Sequence, residues 1–187
     1  MNKKISILHY SLVRHPAVSG GAGRCYGQLD LRLAAPKRDI PLLVSQLAPM
    51  RGAVIHTSPL HRCRLVAEAL AADWGDAAQI DDRLIEMNFG TWEGLSWDDV
   101  PRHALDAWAA DLHGFTPPQG ESGNQLIARV SAFWAEIKAE GGRHVIITHG
   151  GPLKVLTALA EGQPVDLSRP PPSKGAVIHG TQSLSRD

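Results

Sequence analysis

The sequence predicts an α/β fold built on parallel strands. Three observations support this. Apolar runs at 5–13, 53–57 and 144–148 read as strands, and a segment with apolar residues at helical spacing follows each one. Strand and helix therefore alternate, the order that gives a parallel sheet covered by helices. Each run also leads, at once or within the next turn, to residues that carry chemistry: Arg14 and His15, Arg62, and His149. Parallel strands bring such ends to one carboxyl edge, where open α/β sheets bind their ligands.

Length and charge narrow the classes. At 187 residues, 43% of them hydrophobic, the chain can fill one domain spanning 1–187. The formal net charge is zero and the pI is near 7.1. That argues against a nucleic-acid or membrane partner, since both favour a basic excess. Met1–Lys4 is basic, but the run after it is broken by Ser6, His9, Tyr10 and Ser11. It is too short and too polar for a signal peptide or a membrane span, so a soluble cytoplasmic protein is expected. Cys25 and Cys63 have no metal or redox spacing, which fits a reducing compartment.

Taken in order, the first strand runs from Ile5 to Val13 and delivers Arg14, His15 and Pro16. Ala17–Gly23 is dense in small residues, a loop able to approach a ligand closely. Arg24–Asp30 adds polar groups near the same edge. Pro36 and Pro41 flank a helix start, Ile40, Leu43, Val44 and Leu47 give that helix a buried face, and Pro49 and Gly52 end it. Ala53–Thr57 is the second strand. Ser58 is a good N-cap and Pro59 suits the first position of a helix that buries Cys63, Val66, Ala67, Leu70 and Trp74. Arg62 then lies in the first turns, against the helix dipole, an oddity that a bound anion would remove.

Ala78–Ile80 is a short third strand. Arg83–Gly94 has no clean period, and its aromatics and glycines suggest a shaped wall carrying two acids, Glu86 and Glu93. Ser96 and Asp99 resemble a capping box ahead of a stripe of Val100, Ala104, Leu105, Trp108 and Leu112, with Pro101 splitting off a short turn. Residues 86–121 read as an insertion over the sheet edge. Ser122 and Gln125 form a proper capping box for a long helix carrying Leu126, Val130, Phe133 and Ile137, stopped by Gly141 and Gly142. His144–Thr148 has the pattern of a fully buried strand and delivers His149, with a helix through Ala160. Ser168–Lys174 is a proline-rich exposed loop, Ala176–His179 a last strand, and the final residues are expected to fray.

Two arginines, two histidines and a carboxylic acid at one edge suit phosphoryl transfer. Arginines clamp a phosphoryl group through paired hydrogen bonds. A neutral histidine is a free nucleophile near neutral pH. A second histidine can donate to a phosphoryl oxygen, its charge stabilising the transition state. A glutamic acid can protonate the leaving oxygen and then activate water. No metal or cofactor is expected, and HExxH, CxxC and Walker spacings are absent from the sequence.

These residues stand in blocks that resemble the histidine phosphatase, or phosphoglycerate mutase-like, superfamily. Leu12–His15 resembles its opening signature, Thr57–Cys63 its second block, Leu84–Gly94 its acid-bearing block and His149–Gly151 its last, in the family's order. The resemblance implies a three-layer α/β/α sandwich with a mainly parallel sheet. It implies His15 as the phosphorylated nucleophile, Arg14, Arg62 and His149 as a phosphate pocket, and Glu86 as proton donor. Tyr26 and Gly150 fall beside this set as substrate contacts. Within the family, Cys25–Asp30, Trp92–Gly94 and Pro117–Ser122 are similar to alpha-ribazole phosphatases of cobalamin synthesis.

Two positions depart from the family pattern. Pro16 replaces the usual glycine and pushes His15 toward an extended backbone. Gly21 stands where many members carry an asparagine that touches phosphate, so Ser19 or a backbone amide is expected to replace that contact. Glu93 is the rival of Glu86 as the acid. The leading expectation is a hydrolase of small phosphate monoesters. A phosphoglycerate mutase-type transferase is one alternative, disfavoured by the short chain and the lack of long inserts. A catalytically weak phospho-ligand-binding protein is the other, disfavoured by the presence of all five site residues. The oligomeric state is not legible from the sequence.

Overall fold

The computed structural model describes residues 5–185. β1 (Ile5–Arg14) runs through the middle of the molecule. Alternation along the strand sends Leu8, Tyr10 and Leu12 to one helical layer and Val13 to the other. β1 pairs in parallel with β4 (Gly142–Thr148) and antiparallel with β5 (Val177–Ser185). β2 (Val54–Thr57) lies parallel to β4, and β3 (Ala78–Ile80) pairs parallel to β2 at the far edge. The order is β3-β2-β4-β1-β5.

α1 (Pro36–Leu47) and α2 (His61–Trp74) cover one face, with Leu43, Leu47, Val66 and Leu70 against Val13, Ile55, Val145 and Ile147. α4 (Gly123–Glu140) and α5 (Gly150–Glu161) cover the other, with Leu126, Val130, Phe133 and Leu153 against Leu8, Leu12 and Ile146. This is a three-layer α/β/α sandwich with a mainly parallel sheet. Its register pairs Arg14 with Thr148, so the next residues, His15 and His149, leave neighbouring strands side by side.

Some boundaries differ from the sequence expectation. Leu60, not Ser58, is the N-cap residue of α2; the Ser58 hydroxyl accepts from the Leu60 amide at 3.3 Å and from His149 Nε2 at 2.7 Å. Trp74 is half-buried, and Arg62 joins the buried residues of α2. Pro41 lies inside α1 rather than before it. α3 (Arg102–Ala110) starts after Pro101 and has no capping box; the Ser96 hydroxyl accepts from the Asp98 amide. The box at Ser122 and Gln125 forms as expected, with both reciprocal bonds.

Residues 86–121 build a small aromatic cluster of their own, in which Phe89, Trp97, Ala104, Leu105, Trp108 and Phe115 pack on buried Cys25, Trp92 and Val100. The last strand is longer than expected, continuing to Ser185; the expectation of fraying falls on 186–187, outside the described residues. No helix among the described residues is long and apolar enough to cross a membrane.

Candidate active site

The parallel ends of β1 and β4 place the His15 and His149 rings edge to face, with centroids 5.1 Å apart. His15 is buried, and its amide donates to Thr148 O at 3.1 Å. Its Nδ1 donates to Pro16 O at 2.7 Å, which leaves Nε2 with the lone pair. Proline lacks an N–H but keeps its carbonyl, and here that carbonyl sets the tautomer. Burial, then the Arg62 charge, lowers the His15 pKa from 6.5 to about 3, so the ring is neutral at pH 7.

Arg62 is fully buried and each nitrogen of its fork has a protein partner. Nη2 donates to Gly27 O at 2.6 Å, Nη1 to Leu29 O at 2.8 Å, and Nε to His149 Nδ1 at 3.2 Å. Because His149 Nδ1 accepts from Arg62, the proton resides on Nε2, which donates to Ser58 Oγ at 2.7 Å. Burial and the Arg62 charge hold the His149 pKa well below 6.5. In this structure the His149 proton on Nε2 goes to Ser58 Oγ, and Arg62 lies outside the residues that wall the cavity, bracing residues 27–29.

The cavity itself, about 420 Å³, is walled by Arg14, His15, Tyr26, Glu86, Gly150 and Gly151 on the side of the sheet edge. Arg14 donates from Nη1 to Pro172 O at 2.5 Å, while its buried Nε has no protein acceptor. A buried donor without a protein acceptor suits an anionic ligand. Gly150 fits closely here: a Cβ would lie 3.1 Å from Arg14 Nη2 and 3.1 Å from Pro171 Cβ.

Glu86 comes from the loop after β3, tied to β4 where Thr148 Oγ1 donates to Leu84 O at 2.6 Å. Its Oε1 accepts from the Met87 and Gly151 amides at 2.9 and 3.0 Å. Gly151 lies in the first turn of α5, whose dipole favours the carboxylate. Burial outweighs these bonds and raises the Glu86 pKa above 4.5, as a proton donor requires. Glu93 is committed elsewhere: it accepts from the Gln28, Leu29 and Phe89 amides at 2.9, 2.6 and 3.0 Å, binding two loops together.

The far wall is apolar, made by Phe89, Trp97, Trp108, Leu112, Leu126 and Leu167. Trp97 and Trp108 are parallel, with centroids 6.0 Å apart, and Phe89 meets both edge-on. The proline-rich segment is less detached than expected. Pro171 joins the cavity wall, Pro172 holds Arg14, and the Gly175 amide is shared between Arg14 O and His15 O.

Ser19 is exposed and outside the wall, its amide donating to Arg32 O, so it does not stand in for the missing asparagine. A side chain at Gly21 would strike Val18 and the Tyr26 ring, and Tyr26 in turn lies between the Arg62 and Lys174 charges at 5.6 and 5.4 Å. Sequence reasoning reads Ser58 as a helix cap rather than a partner of His149, and nothing near Lys154 marks it as a wall residue; Arg24, from the polar 24–30 segment, also lines the cavity.

Residues 10–178 match the sequence signature of the histidine phosphatase superfamily, branch 1. The chain is 30% identical over 165 residues to phosphoserine phosphatase 1 of Hydrogenobacter thermophilus, covering 84% of this chain and 77% of that one. It is 31% identical over 169 residues to the glucosyl-3-phosphoglycerate phosphatase of Mycolicibacterium vanbaalenii, covering 83% and 75%. In fold it is similar to the alpha-ribazole phosphatase of Shigella flexneri, with a TM-score of 0.83 at 23% identity over 92% of this chain and 89% of that one.

Proposed function

The chain belongs to the histidine phosphatase superfamily, branch 1, and on that premise we propose that it hydrolyses small phosphate monoesters through a phosphohistidine at His15. The observation that carries this reading is the state of His15: a buried, neutral imidazole with its Nε2 lone pair free, in a cavity wall shared with Arg14 and Glu86.

In the first step the Nε2 lone pair of His15 attacks phosphorus. The P–O ester bond breaks, its electron pair leaves on the alcohol oxygen, and the Glu86 proton goes to that oxygen. Positive charge developing on the ring is shared through Nδ1–H with Pro16 O. Arg14 binds the phosphoryl oxygens, and the buried Arg62 charge stabilises their added negative charge from behind. In the second step the Glu86 carboxylate takes a proton from water, the water oxygen attacks phosphorus, and the P–N bond breaks with its pair returning to Nε2. These side chains supply the charge neutralisation, so no metal is required.

For the substrate we propose alpha-ribazole 5'-phosphate. Phe89, Trp97 and Trp108 in the cavity lining offer aromatic surface for an apolar base. Among the wall residues Glu86 is the one acid, and none is Asn, Gln, Ser or Thr. A glucosyl group would find few partners for its hydroxyls there, and the ammonium of phosphoserine would compete for the acid itself.

The test is an alkaline quench with phosphorus-labelled ester, with EDTA present. Label retained on the chain, lost in His15→Ala while that variant still folds, is the expected result. Turnover without label on His15 would overturn the covalent route, and absence of turnover would leave a phospho-ligand-binding protein. A panel of ribazole, glucosyl and serine phosphates, with primed phosphoglycerate isomerisation beside it, decides the substrate and separates phosphatase from mutase.

A further inference from the structure

One side chain gathers the main chain around Glu86. Arg129, on α4, donates from Nη1 to Arg83 O at 2.7 Å and to Ile85 O at 2.6 Å, and from Nη2 to Glu86 O at 3.1 Å. Its remaining bonds go to Glu121: Nε to Oε2 at 3.0 Å and Nη2 to Oε1 at 2.6 Å. Glu121 Oε1 also accepts from the Asn88 amide at 2.9 Å, and Gln28 Nε2 adds a second donor to Glu86 O at 3.1 Å. The stretch before Glu86 is a single 3₁₀ turn followed by irregular chain, so its carbonyls need partners from outside. Arg129 supplies three of them, and its other two N–H donors go to Glu121, so all five are used. It is outside the cavity wall and has no donor left for a substrate.

We propose that Arg129, fixed by Glu121, is a positioning residue that sets where the Glu86 carboxyl meets the leaving oxygen. This rests on the reading of Glu86 as proton donor. The carboxyl end of Glu86 is held by Gly151 and Met87, and its main-chain end by Arg129, so both ends of the side chain are fixed. A general acid works only within hydrogen-bond reach of its target, and a shift of about 1 Å can lower rates by about 10²-fold. Lysine cannot substitute, because its donors radiate from one nitrogen and cannot span three carbonyls and a carboxylate.

The experiment compares Arg129→Lys and Glu121→Gln, each with Glu86 present and with Glu86→Gln. Turnover is read on an alkyl phosphate and on nitrophenyl phosphate, with melting temperatures alongside. Both variants are expected to slow the alkyl ester about 10- to 10²-fold and the nitrophenyl ester far less, with no further selective loss once Glu86→Gln is present. Equal loss on both esters, or the same selective loss in the Glu86→Gln background, would make the clamp merely structural, whatever the melting temperature. If Glu86→Gln itself fails to discriminate between the esters, the proton-donor reading falls and takes the clamp with it. Glu121→Gln supplies the reading if Arg129→Lys does not fold.

Discussion

The Gly151 amide donates to Glu86 Oε1 at 3.0 Å, and a Cβ on Gly151 would collide with that same oxygen. The second glycine of α5 is thus fitted to the acid from a loop 65 residues earlier. Gly151→Ala should push the carboxyl aside while leaving His15 and Arg14 in place. We expect turnover of alkyl phosphates to fall about 10²-fold, the scale of a roughly 1 Å misplacement, with KM for phosphate esters little changed. Steady-state kinetics on the purified variant checks this, and an unchanged kcat would detach Gly151 from the acid.

The raised pKa of Glu86 sets the direction of the pH–rate profile. The acid must be protonated in the first step, so kcat/KM on alkyl esters should fall as pH rises through that raised value. The fall should be shallow on nitrophenyl phosphate, whose leaving group needs little help. The nucleophile should impose no acid limb above about pH 4, because the His15 pKa is lowered to about 3. A rate that climbs with pH on alkyl esters would point to a base rather than an acid at this position.

Stability should be acid-labile through the same physics. The His56 and His144 rings are buried and stacked, with His56 Nε2 3.0 Å from His144 Nδ1, and burial lowers the His56 pKa to about 4. Asp81, Glu136 and Arg83 also bear on it. In the unfolded chain His56 and His15 return to about 6.5. Their stabilising contribution is therefore complete above about pH 6.5 and lost as pH falls from there toward 4 and 3, where the unfolded state binds more protons. Urea midpoints measured from pH 7.5 to 4.5 should hold level to about pH 6.5 and fall below it, and His56→Gln should flatten that fall. An unchanged slope in that variant would assign the lability to other groups.

The sequence by itself determined the layout. Local periodicity marks α4 and its capping box at Ser122 and Gln125, and the apolar run at 144–148 marks β4. Placing Arg14, His15 and His149 directly after strands was enough to bring them to one edge, because parallel pairing in register leaves no other arrangement. These features depend on residues close in the chain or on the sheet's own geometry, so they are legible without coordinates.

What the tertiary structure decided is the state of each group. Glu86 and Glu93 are seven residues apart in one irregular loop and look alike in sequence. They differ because one meets Gly151 at the cavity and the other is consumed by amides of two loops. Likewise Ser58 carries the signature of a helix cap, but its hydroxyl serves His149, 91 residues away, as well as the nearby Leu60 amide. Arg62 and Arg129 each fold a polar fork back onto carbonyls, and Arg14 keeps an unpartnered Nε in the cavity wall. Side-chain hydrogen bonds and desolvation join residues far apart in the chain. Charge, tautomer and role are therefore set by partners that only the packed structure brings within reach.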